Sequence, residues 1–552
     1  MARPPPAMMA RHVRVRTALW SVARGEGGGA LPAVLVLVVV LSALVGSVLA
    51  VYVAERRLVR RDFAREQARY AAEAGMERAL YLLAYEPAFR ASGEQMEVPG
   101  VGLPVHAWVR PFGVYAEVRA VAATRPAGPR LPAGDNGGPR TAEWIGVRAL
   151  VGAALGPGYG YALVLGDSLS ALTLTGTARL TGDVLTGPLG ARPGQLQGRG
   201  FRGELRGRVL RAADRPREEA DLPLLPPAVL AFAEETFGRY DRAVERGLEG
   251  EAFAAGLRTC SSEPAALFGS DFVRGERVFR EGLTLACASD GSRVDAEALR
   301  TVIPRETEAS PASASPPPSG RRPLLLLSDG ALVLDGSETP LVLPPGSIVF
   351  ARGALRLRGA VEAADALLIG ETVDATGRVR VQGQVLARRS GRLDGGARIE
   401  GTVTVYAGRR RPGTAALDLG DARVGGVVLY APEPEQADSP GADLILRERA
   451  EVRGVLYAAG SAELAGRVLG SAIVRRLYFY ASPAAYTNWL RAGHFDRTSM
   501  PDPLLLPLAL GGAGDGRPAR PAAFGVVEEG LTDPPGSDPT QATAAQTAGP
   551  TR

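Results

Sequence analysis

One uncharged stretch, residues 30–53, constrains the fold of this chain more than any other feature. It reads ALPAVLVLVVVLSALVGSVLAVYV and holds 24 residues without a charge. At about 1.5 Å per helical residue it is long enough to cross a hydrocarbon core of about 30 Å. A cleaved secretory signal has an apolar core of about 7–15 residues and a small-residue cleavage site. The stretch is longer than that, so we expect it to remain as a transmembrane helix.

The flanking charges bear on how this helix is oriented. Residues 1–29 form a basic leader with five arginines and one acid, which favours a cytoplasmic N-terminus. Four arginines directly after the helix, Arg56, Arg57, Arg60 and Arg61, favour the opposite orientation. The interpretation that follows is a single pass through the inner membrane, with a cytoplasmic N-terminus and a periplasmic or extracellular body that could reach the cell surface.

Residues 54–86 are rich in Ala, Arg, Glu and Leu and predict an amphipathic continuation of the same helix. The helix is expected to end before Pro87, because the residue before a proline disfavours helical geometry. One face of this segment is expected to pack on a folded domain. Its apolar residues at compatible spacing are Val59, Phe63, Tyr70, Ala74 and Tyr81.

The N-terminal layout resembles that of type IV pilin-like proteins, in particular PilX-type minor pilins. The resemblance covers residues 24–90 and rests on a basic leader ending in glycines, an apolar helix, and the run AAEAGMERAL at 71–80. It implies that a prepilin peptidase cuts between Gly29 and Ala30. It also implies that the mature helix packs among other pilin-like subunits, with Val34, Leu41 and Gly46 on the assembly helix. Main pilins carry a glutamate where this chain has Val34, which favours a minor subunit.

The composition of the whole chain, with 69 glycines, 43 prolines and only 6% aromatic residues, favours turn-rich β structure for the part that follows the helix. Residues 98–155 alternate like strands and predict a pilin-like β meander of about three strands packed on the helix. Residues 158–212 contain short β runs closed by glycine, and we interpret them as a first β-solenoid segment. Residues 213–305 predict an α-rich insertion that holds both cysteines, Cys260 and Cys287. These two either form a disulfide or remain as buried free thiols.

A Pro/Ser-rich linker at 306–323 precedes a second β region at 324–477, in which a Gly-x-Val unit recurs. Four of the five gaps between the recurring glycines are multiples of six, which predicts hexapeptide coils of a parallel β-helix. A β-sandwich with glycine turns is the alternative, and the pattern loosely resembles bactofilin-like polymer-forming proteins. The glycines are Gly359, Gly383, Gly401, Gly425, Gly454 and Gly466.

The aromatic stretch 478–510 is expected to cap the open end of the solenoid, with a sugar- or partner-binding patch as the alternative. Residues 511–552 hold few apolar side chains and predict a disordered tail. The expected fold is therefore mainly β, with a long N-terminal transmembrane and amphipathic helix and a β-solenoid body carrying a small α insertion.

Catalytic and metal-binding motifs are scarce in the sequence. It has three histidines, no CxxC, no phosphate-binding loop and no G-x-S-x-G motif, so we expect no cofactor and no metal. The arginines are interleaved with acids, which argues against nucleic-acid binding. A carbohydrate-active enzyme remains a remote alternative. Its candidate acids would be Asp365, Glu371, Asp374, Asp394 and Glu400.

The favoured function is a structural one: a membrane-anchored, pilin-like minor subunit of a type IV pilus or a type II-like secretion system, acting in assembly or tip presentation. The alternative is an envelope-anchored β-solenoid scaffold or adhesin that does not enter a filament.

Overall fold

The computed structural model describes residues 30–85, 96–98, 102–124, 144–166, 170–211, 227–249, 256–260, 264–268, 284–303, 323–411, 414–433, 441–510 and 521–531. The leader 1–29 and residues 304–322, which hold nearly all of the expected linker, lie outside these ranges. The chain divides into two units, Met1–Gln67 and Ala68–Arg552.

The described residues form one long α-helix, three shorter α-helices, three short 3-10 helices and many strands. The helices are α1 (Ala30–Tyr85), α2 (Pro227–Glu249), α3 (Pro264–Phe268) and α4 (Ala296–Val302). The strands before α2 are β1 (Met96–Glu97), β2 (Val105–Phe112), β3 (Tyr115–Ala123), β4 (Trp144–Ala153), β5 (Leu163–Leu165), β6 (Leu172–Leu174), β7 (Arg179–Thr181), β8 (Val184–Thr186), β9 (Ala191–Pro193), β10 (Glu204–Arg206) and β11 (Val209–Arg211). The later strands are β12 (Leu257–Thr259), β13 (Thr284–Ala288), β14 (Ser292–Val294), β15 (Leu324–Ser328), β16 (Leu332–Leu343), β17 (Ile348–Thr376), β18 (Arg380–Asp394), β19 (Arg398–Gly408), β20 (Leu417–Leu419), β21 (Arg423–Pro432), β22 (Leu444–Leu446), β23 (Glu451–Leu464), β24 (Arg467–Ala481), β25 (Ala484–Thr487), β26 (Trp489–Leu490), β27 (His494–Asp496) and β28 (Pro521–Leu531).

The expected mainly-β chain with a long apolar N-terminal helix is confirmed at this level. A five-stranded antiparallel sheet has the order β1-β2-β3-β4-β28, and a twenty-stranded sheet contains most of the other strands. The pairings of the larger sheet are parallel, apart from β12 with β13 and β24 with β25. A small parallel sheet, β26-β6-β9, completes the β structure of the described residues.

The strand β28 lies in the segment for which the sequence predicts a disordered tail. Its residues pair antiparallel with β4, from Pro521 opposite Ala153 to Leu531 opposite Trp144. The local run PAAFGVVEEGL has enough apolar and β-branched residues to extend an existing sheet. The prediction of disorder over all of 511–552 therefore needs correction at 521–531.

The large sheet extends across the boundaries that the sequence predicts between the α insertion, the two β regions and the aromatic stretch. The strands β13 and β14 lie within the expected α insertion, yet they pair in parallel with β15 and β16 and begin the large sheet. The strands β5 and β7 of the first β segment pair with β24 and β27, more than 290 residues later in the chain. The stretch 478–510 therefore contributes β27 to the large sheet, where this strand pairs with β24 on one side and with β7 of the first β segment on the other.

A column of glycines aligns five neighbouring strands, but its spacing is not hexapeptide. Gly383, Gly401, Gly426, Gly454 and Gly470 are in register, so the intervals are 18, 25, 28 and 16 residues. Their φ angles lie between 133° and 155°, a region that favours glycine.

The glycines that the sequence pattern singled out as Gly359, Gly425 and Gly466 do not belong to this column. Gly359 pairs with Gly336 in another part of the sheet. Gly425 stands opposite Glu400 and Arg453, one residue before the true member of the column. The periodicity of six was therefore wrong, because the connections between successive strands differ in length.

The apolar core of the large sheet is a continuous stack of Leu, Val, Ile and Ala side chains. In β19, for example, Ile399, Val403 and Val405 face this core, whereas Thr402 and Tyr406 face the other side of the sheet. The helix α4 packs on the core near β14 through Leu299 and Val302. A second apolar cluster covers the opposite side of the sheet and includes residues of α2.

Candidate functional site

The apolar part of α1 is exposed over its described length. All side chains from 34 to 63 are exposed, including Val34 at 58% and Leu41 at 52%. A side chain at Gly46 would meet no atom within 4 Å. By length and composition α1 is able to cross a membrane, and it is the one such helix among the described residues. Gly29 lies outside the described residues, and Ala30 is the first residue of α1.

The later part of α1, from Ala68 onward, packs on the antiparallel sheet. Ala71, Ala72 and Ala79 are buried against strand residues such as Val105 and Ala120. Gly75 sets the approach, because a Cβ there would lie 2.7 Å from a Val105 methyl and 3.2 Å from the Ala120 Cβ. The contact face thus combines small residues with three larger ones, Met76, Leu82 and Leu83, which are buried in the same cluster.

The expected packing face of this segment is wrong. Tyr70 and Tyr81 are 66% and 52% exposed, and Val59, Phe63 and Ala74 are exposed as well. A helix can come close to a sheet only where its side chains are small, so alanines and a glycine occupy the contact. The tyrosines are left on the outer face, whereas Leu82 and Leu83 are buried against the sheet.

The β2–β3 hairpin attaches the antiparallel sheet to the large sheet through buried polar contacts. The Gln384 side chain accepts a bond from the Val114 amide (3.1 Å) and donates one to the Phe112 carbonyl (3.1 Å). The Tyr115 hydroxyl lies 2.6 Å from Thr402 Oγ1 and donates to the Leu505 carbonyl (3.2 Å). Burial raises the pKa of Tyr115 to about 12, so the phenol stays protonated and keeps its donor role.

The helix α2 lies along the outer side of the large sheet, where ion pairs and aromatic contacts hold it. Arg352 pairs with Asp241 (2.9 Å) and Glu245 (2.7 Å) on the helix. The ring of Phe237 meets that of Phe350 edge to face at 5.2 Å. Partly exposed pairs of this kind contribute little each, so the apolar contacts dominate the attachment.

The two cysteines form a disulfide, which decides between the two states that the sequence leaves open. Cys260 follows β12 and Cys287 lies in β13, and their Cα atoms are 5.1 Å apart. The bond ties the region after α2 to the first strands of the large sheet.

The five acids considered for glycoside chemistry lie at separate positions. Asp374 on β17 and Asp394 on β18 are not paired with each other in the register of these two strands. Glu371 forms an ion pair with Arg389 at 2.8 Å. Glu400 is exposed on β19, and Asp365 occupies a bend in β17 at φ 50°. Among the described residues there is no group of three or more His, Cys, Asp or Glu suited to a metal ion.

A buried acid that sequence reasoning missed lies directly before β22, next to Ser461 of β23. Asp443 is 1% exposed and accepts bonds from the Ser461 amide (2.8 Å) and hydroxyl (2.7 Å). Burial raises the pKa of Asp443, and the two bonds from Ser461 oppose that shift. The serine hydroxyl also contacts the Gly441 carbonyl, so the pair braces a buried turn. No local motif in the sequence marks these two residues, which are 18 positions apart.

The aromatic stretch 478–510 forms a hairpin with a small ring cluster beside it. The Phe479 and Tyr486 rings stack at 6.1 Å, and Tyr486 lies 4.7 Å from Trp489. The guanidinium of Arg491 lies 5.2 Å from the centre of the Phe479 ring. Phe479 is buried, so the cluster is partly internal packing of the hairpin.

No family model, curated protein or solved structure matches the chain. Of the residues singled out from sequence, Val34, Leu41 and Gly46 share one exposed helix, and Cys260 and Cys287 are bonded to each other.

Proposed function

We propose that this chain is a membrane-anchored, pilin-like structural subunit. The observation that carries the proposal is the composition of α1. Its residues 34–63 are exposed and nearly all apolar up to Val53, while its residues from Ala68 onward pack on an antiparallel sheet. A helix that is apolar on all sides needs lipid or other helices around it.

In this proposal the apolar half of α1 first holds the chain in the inner membrane and then packs among the helices of other pilin-like subunits. The leader keeps the N-terminus cytoplasmic, and the β-rich body is displayed on the periplasmic or extracellular side. The role is structural and not catalytic: assembly, priming or presentation at a tip.

The body in this proposal is a β-solenoid, in which each turn of the chain stacks on the one before. The parallel registers of β17, β18, β19, β21 and β23 support it, because one strand pairs with its predecessor and its successor at equivalent residues. The glycine column supports it as well, since the same bend recurs on successive strands.

The proposal is tested by determining the mature N-terminus by mass spectrometry, with the full chain expressed with and without a prepilin peptidase. We expect Ala30 at the N-terminus only when the peptidase is present. A control chain with glutamine in place of Gly27, Gly28 and Gly29 should stay uncut under both conditions. A mature N-terminus that does not depend on the peptidase would contradict the proposal.

A second function, an envelope-anchored scaffold that never enters a filament, is favoured by the size of the parallel stack. Twenty strands of one chain pair with each other in a single sheet, and this pairing needs no neighbouring subunit. In that case the leader remains uncut, and the protein sediments with membranes and is absent from the sheared filament fraction.

A further inference from the structure

The outer face of α1 carries a line of exposed aromatic side chains where the helix packs on the antiparallel sheet. Tyr70, Tyr81 and Tyr85 are 66%, 52% and 58% exposed, and Ala74 is exposed between them. We call Tyr70, Ala74, Tyr81 and Tyr85 the tyrosine stripe. The opposite side of the same helix is buried through Ala71, Ala79 and their neighbours, so the stripe has no role in holding the helix on its sheet.

The spacing of the stripe is regular. Its intervals are four, seven and four residues, so Tyr70 to Tyr81 and Ala74 to Tyr85 both span eleven. Eleven residues make three turns at about 3.67 residues per turn, which keeps such positions on one face of a helix. In the sequence the same interval continues upstream, from Tyr52 to Phe63 and from Val59 to Tyr70. An eleven-residue apolar repeat is the pattern of a helix that packs along another helix.

Burial in a membrane interface does not account for the stripe. Tyrosine is common where a helix leaves the bilayer, and Tyr52 has that position near the end of the apolar stretch. Tyr70 lies 17 residues after Val53, which is about 25 Å further along a helix. Tyr81 and Tyr85 are further still, so a bilayer interface at Tyr52 does not reach them.

The charges beside the stripe indicate the direction of that partner. At 100° per residue, Glu73 and Glu77 lie along one edge of the stripe and Arg78 along the other. Glu73 also pairs with Arg69 of its own helix at 3.1 Å, so the acidic edge depends mainly on Glu77. On the other edge, the Arg78 guanidinium lies 5.4 Å from the centre of the Tyr81 ring. When two copies of such a helix pack in parallel, the acidic edge of one meets the basic edge of the other. Antiparallel packing would bring like edges together. Copies anchored in one membrane by the same helix also run parallel.

We propose that the tyrosine stripe binds the tyrosine stripe of a second copy of this chain, in parallel. The inference rests on the proposed function only in requiring that copies share one membrane orientation. Tyrosine suits this surface because its ring offers a large apolar area while its hydroxyl remains compatible with water in the unpaired subunit.

The test uses single cysteines in the full-length, membrane-inserted protein, whose two native cysteines are already bonded. Ala74→Cys places a thiol in the stripe, and Arg69→Cys places one on the exposed flank as the matched control. Under mild oxidation or with a short bismaleimide, we expect several-fold more covalent dimer from Ala74→Cys than from Arg69→Cys. Adding Tyr81→Ser to Ala74→Cys should reduce the dimer to the control level, and adding Tyr81→Phe should preserve it.

Orientation is read from the ends of the stripe. Tyr85→Cys should form dimers with itself in the parallel arrangement. Dimers that appear only when Tyr70→Cys and Tyr85→Cys chains are mixed would show antiparallel packing and overturn the proposal. Dimer at no more than the control level would also overturn it. The proposal would also be overturned if the thiol of Ala74→Cys were protected from a membrane-impermeant maleimide but did not cross-link, because lipid would then cover the stripe.

The outcome is independent of the leader. Correct cleavage without cross-linking would remove this inference and leave the proposed function in place. Cross-linking in a chain that is never cleaved would support this inference and contradict the proposed function.

Discussion

Replacing either of two adjacent glycines, Gly425 and Gly426, by alanine tests the register of the large sheet. Gly426 has φ 155°, and a Cβ on it would overlap the carbonyl oxygen of Gly401 on the neighbouring strand. A Cβ on Gly425 would meet only the carboxylate of Glu400, the end of a flexible and exposed side chain. The two substitutions are chemically identical and one residue apart, so each serves as the control for the other.

The expected difference in the free energy of unfolding follows from two terms. An alanine in the backbone conformation of Gly426 costs about 1–3 kcal/mol. The overlap with a backbone oxygen has to be relieved by moving the strand, which adds about 1–3 kcal/mol. Gly426→Ala should therefore destabilise the protein by about 2–6 kcal/mol, a large fraction of the total for an ordinary domain. Gly425→Ala should stay within about 0.5 kcal/mol of the parent, since the glutamate can rotate away.

Urea unfolding of the full-length protein in detergent micelles, followed by circular dichroism, measures this difference as a shift in midpoint. Gly396→Ala provides a third point, because Gly396 has φ 79° but a Cβ there meets nothing within 4 Å. It should cost about 1 kcal/mol, the backbone term alone. If Gly425→Ala were the more damaging of the pair, the register would be shifted by one residue, and every side chain of these strands would face the opposite side.

Four further predictions concern single contacts. Tyr115→Phe should lower stability by about 1–2 kcal/mol in the same urea assay, because it removes a buried hydroxyl that bonds the two sheets. Asp443→Asn should gain stability relative to the parent as pH rises from about 4 to 7. The pKa of Asp443 is raised in the folded protein, so the parent loses stability as the buried carboxyl ionises with rising pH, whereas the asparagine variant does not. Urea midpoints of both proteins at the two pH values measure this difference. A variant that loses stability relative to the parent as pH rises would contradict the prediction. Replacing both Cys260 and Cys287 by serine opens a closure of 27 residues and should cost about 3–4 kcal/mol, and reductant should shift the parent but not the variant. Gly75→Val should cost about 3 kcal/mol, since even its Cβ would lie 2.7 Å from a strand methyl group, and an unchanged midpoint would show that the helix does not pack as described.

The extent of α1 was accessible from sequence, but the face it buries was not. Hydropathy and the absence of proline predict a helix through Tyr85, which the structure shows. The apolar spacing predicts a buried face that includes Tyr70 and Tyr81. The sheet instead contacts Ala71, Gly75 and Ala79, together with Leu82 and Leu83. Burial of small residues carries a weak periodic signal, and close approach is a property of the partner sheet that no local window contains.

The glycine-rich repeats indicate stacked β runs, yet the register had to come from the structure. Gly425 and Gly426 are adjacent, and the surrounding sequence ARVGGVV does not indicate which of them has the positive φ angle. The spacing is irregular because connections after β19 and β21 are longer than those after β17 and β18. Asp443 and Ser461 were missed for a related reason, since the register alone brings together residues that the sequence keeps apart.

The two ends of the body are interlocked, which restricts how the chain can fold. The strand β5 pairs with β24 through Leu163 and Ala472, and β4 is completed by β28 near the C-terminus. Neither sheet can therefore be finished until most of the chain is available, and such long-range pairing is slow. A chain that lacked residues 511–552 would leave the edge of β4 open to pairing with another chain. The region that begins at Ala68 is therefore complete only when β28, late in the chain, is available to pair with β4.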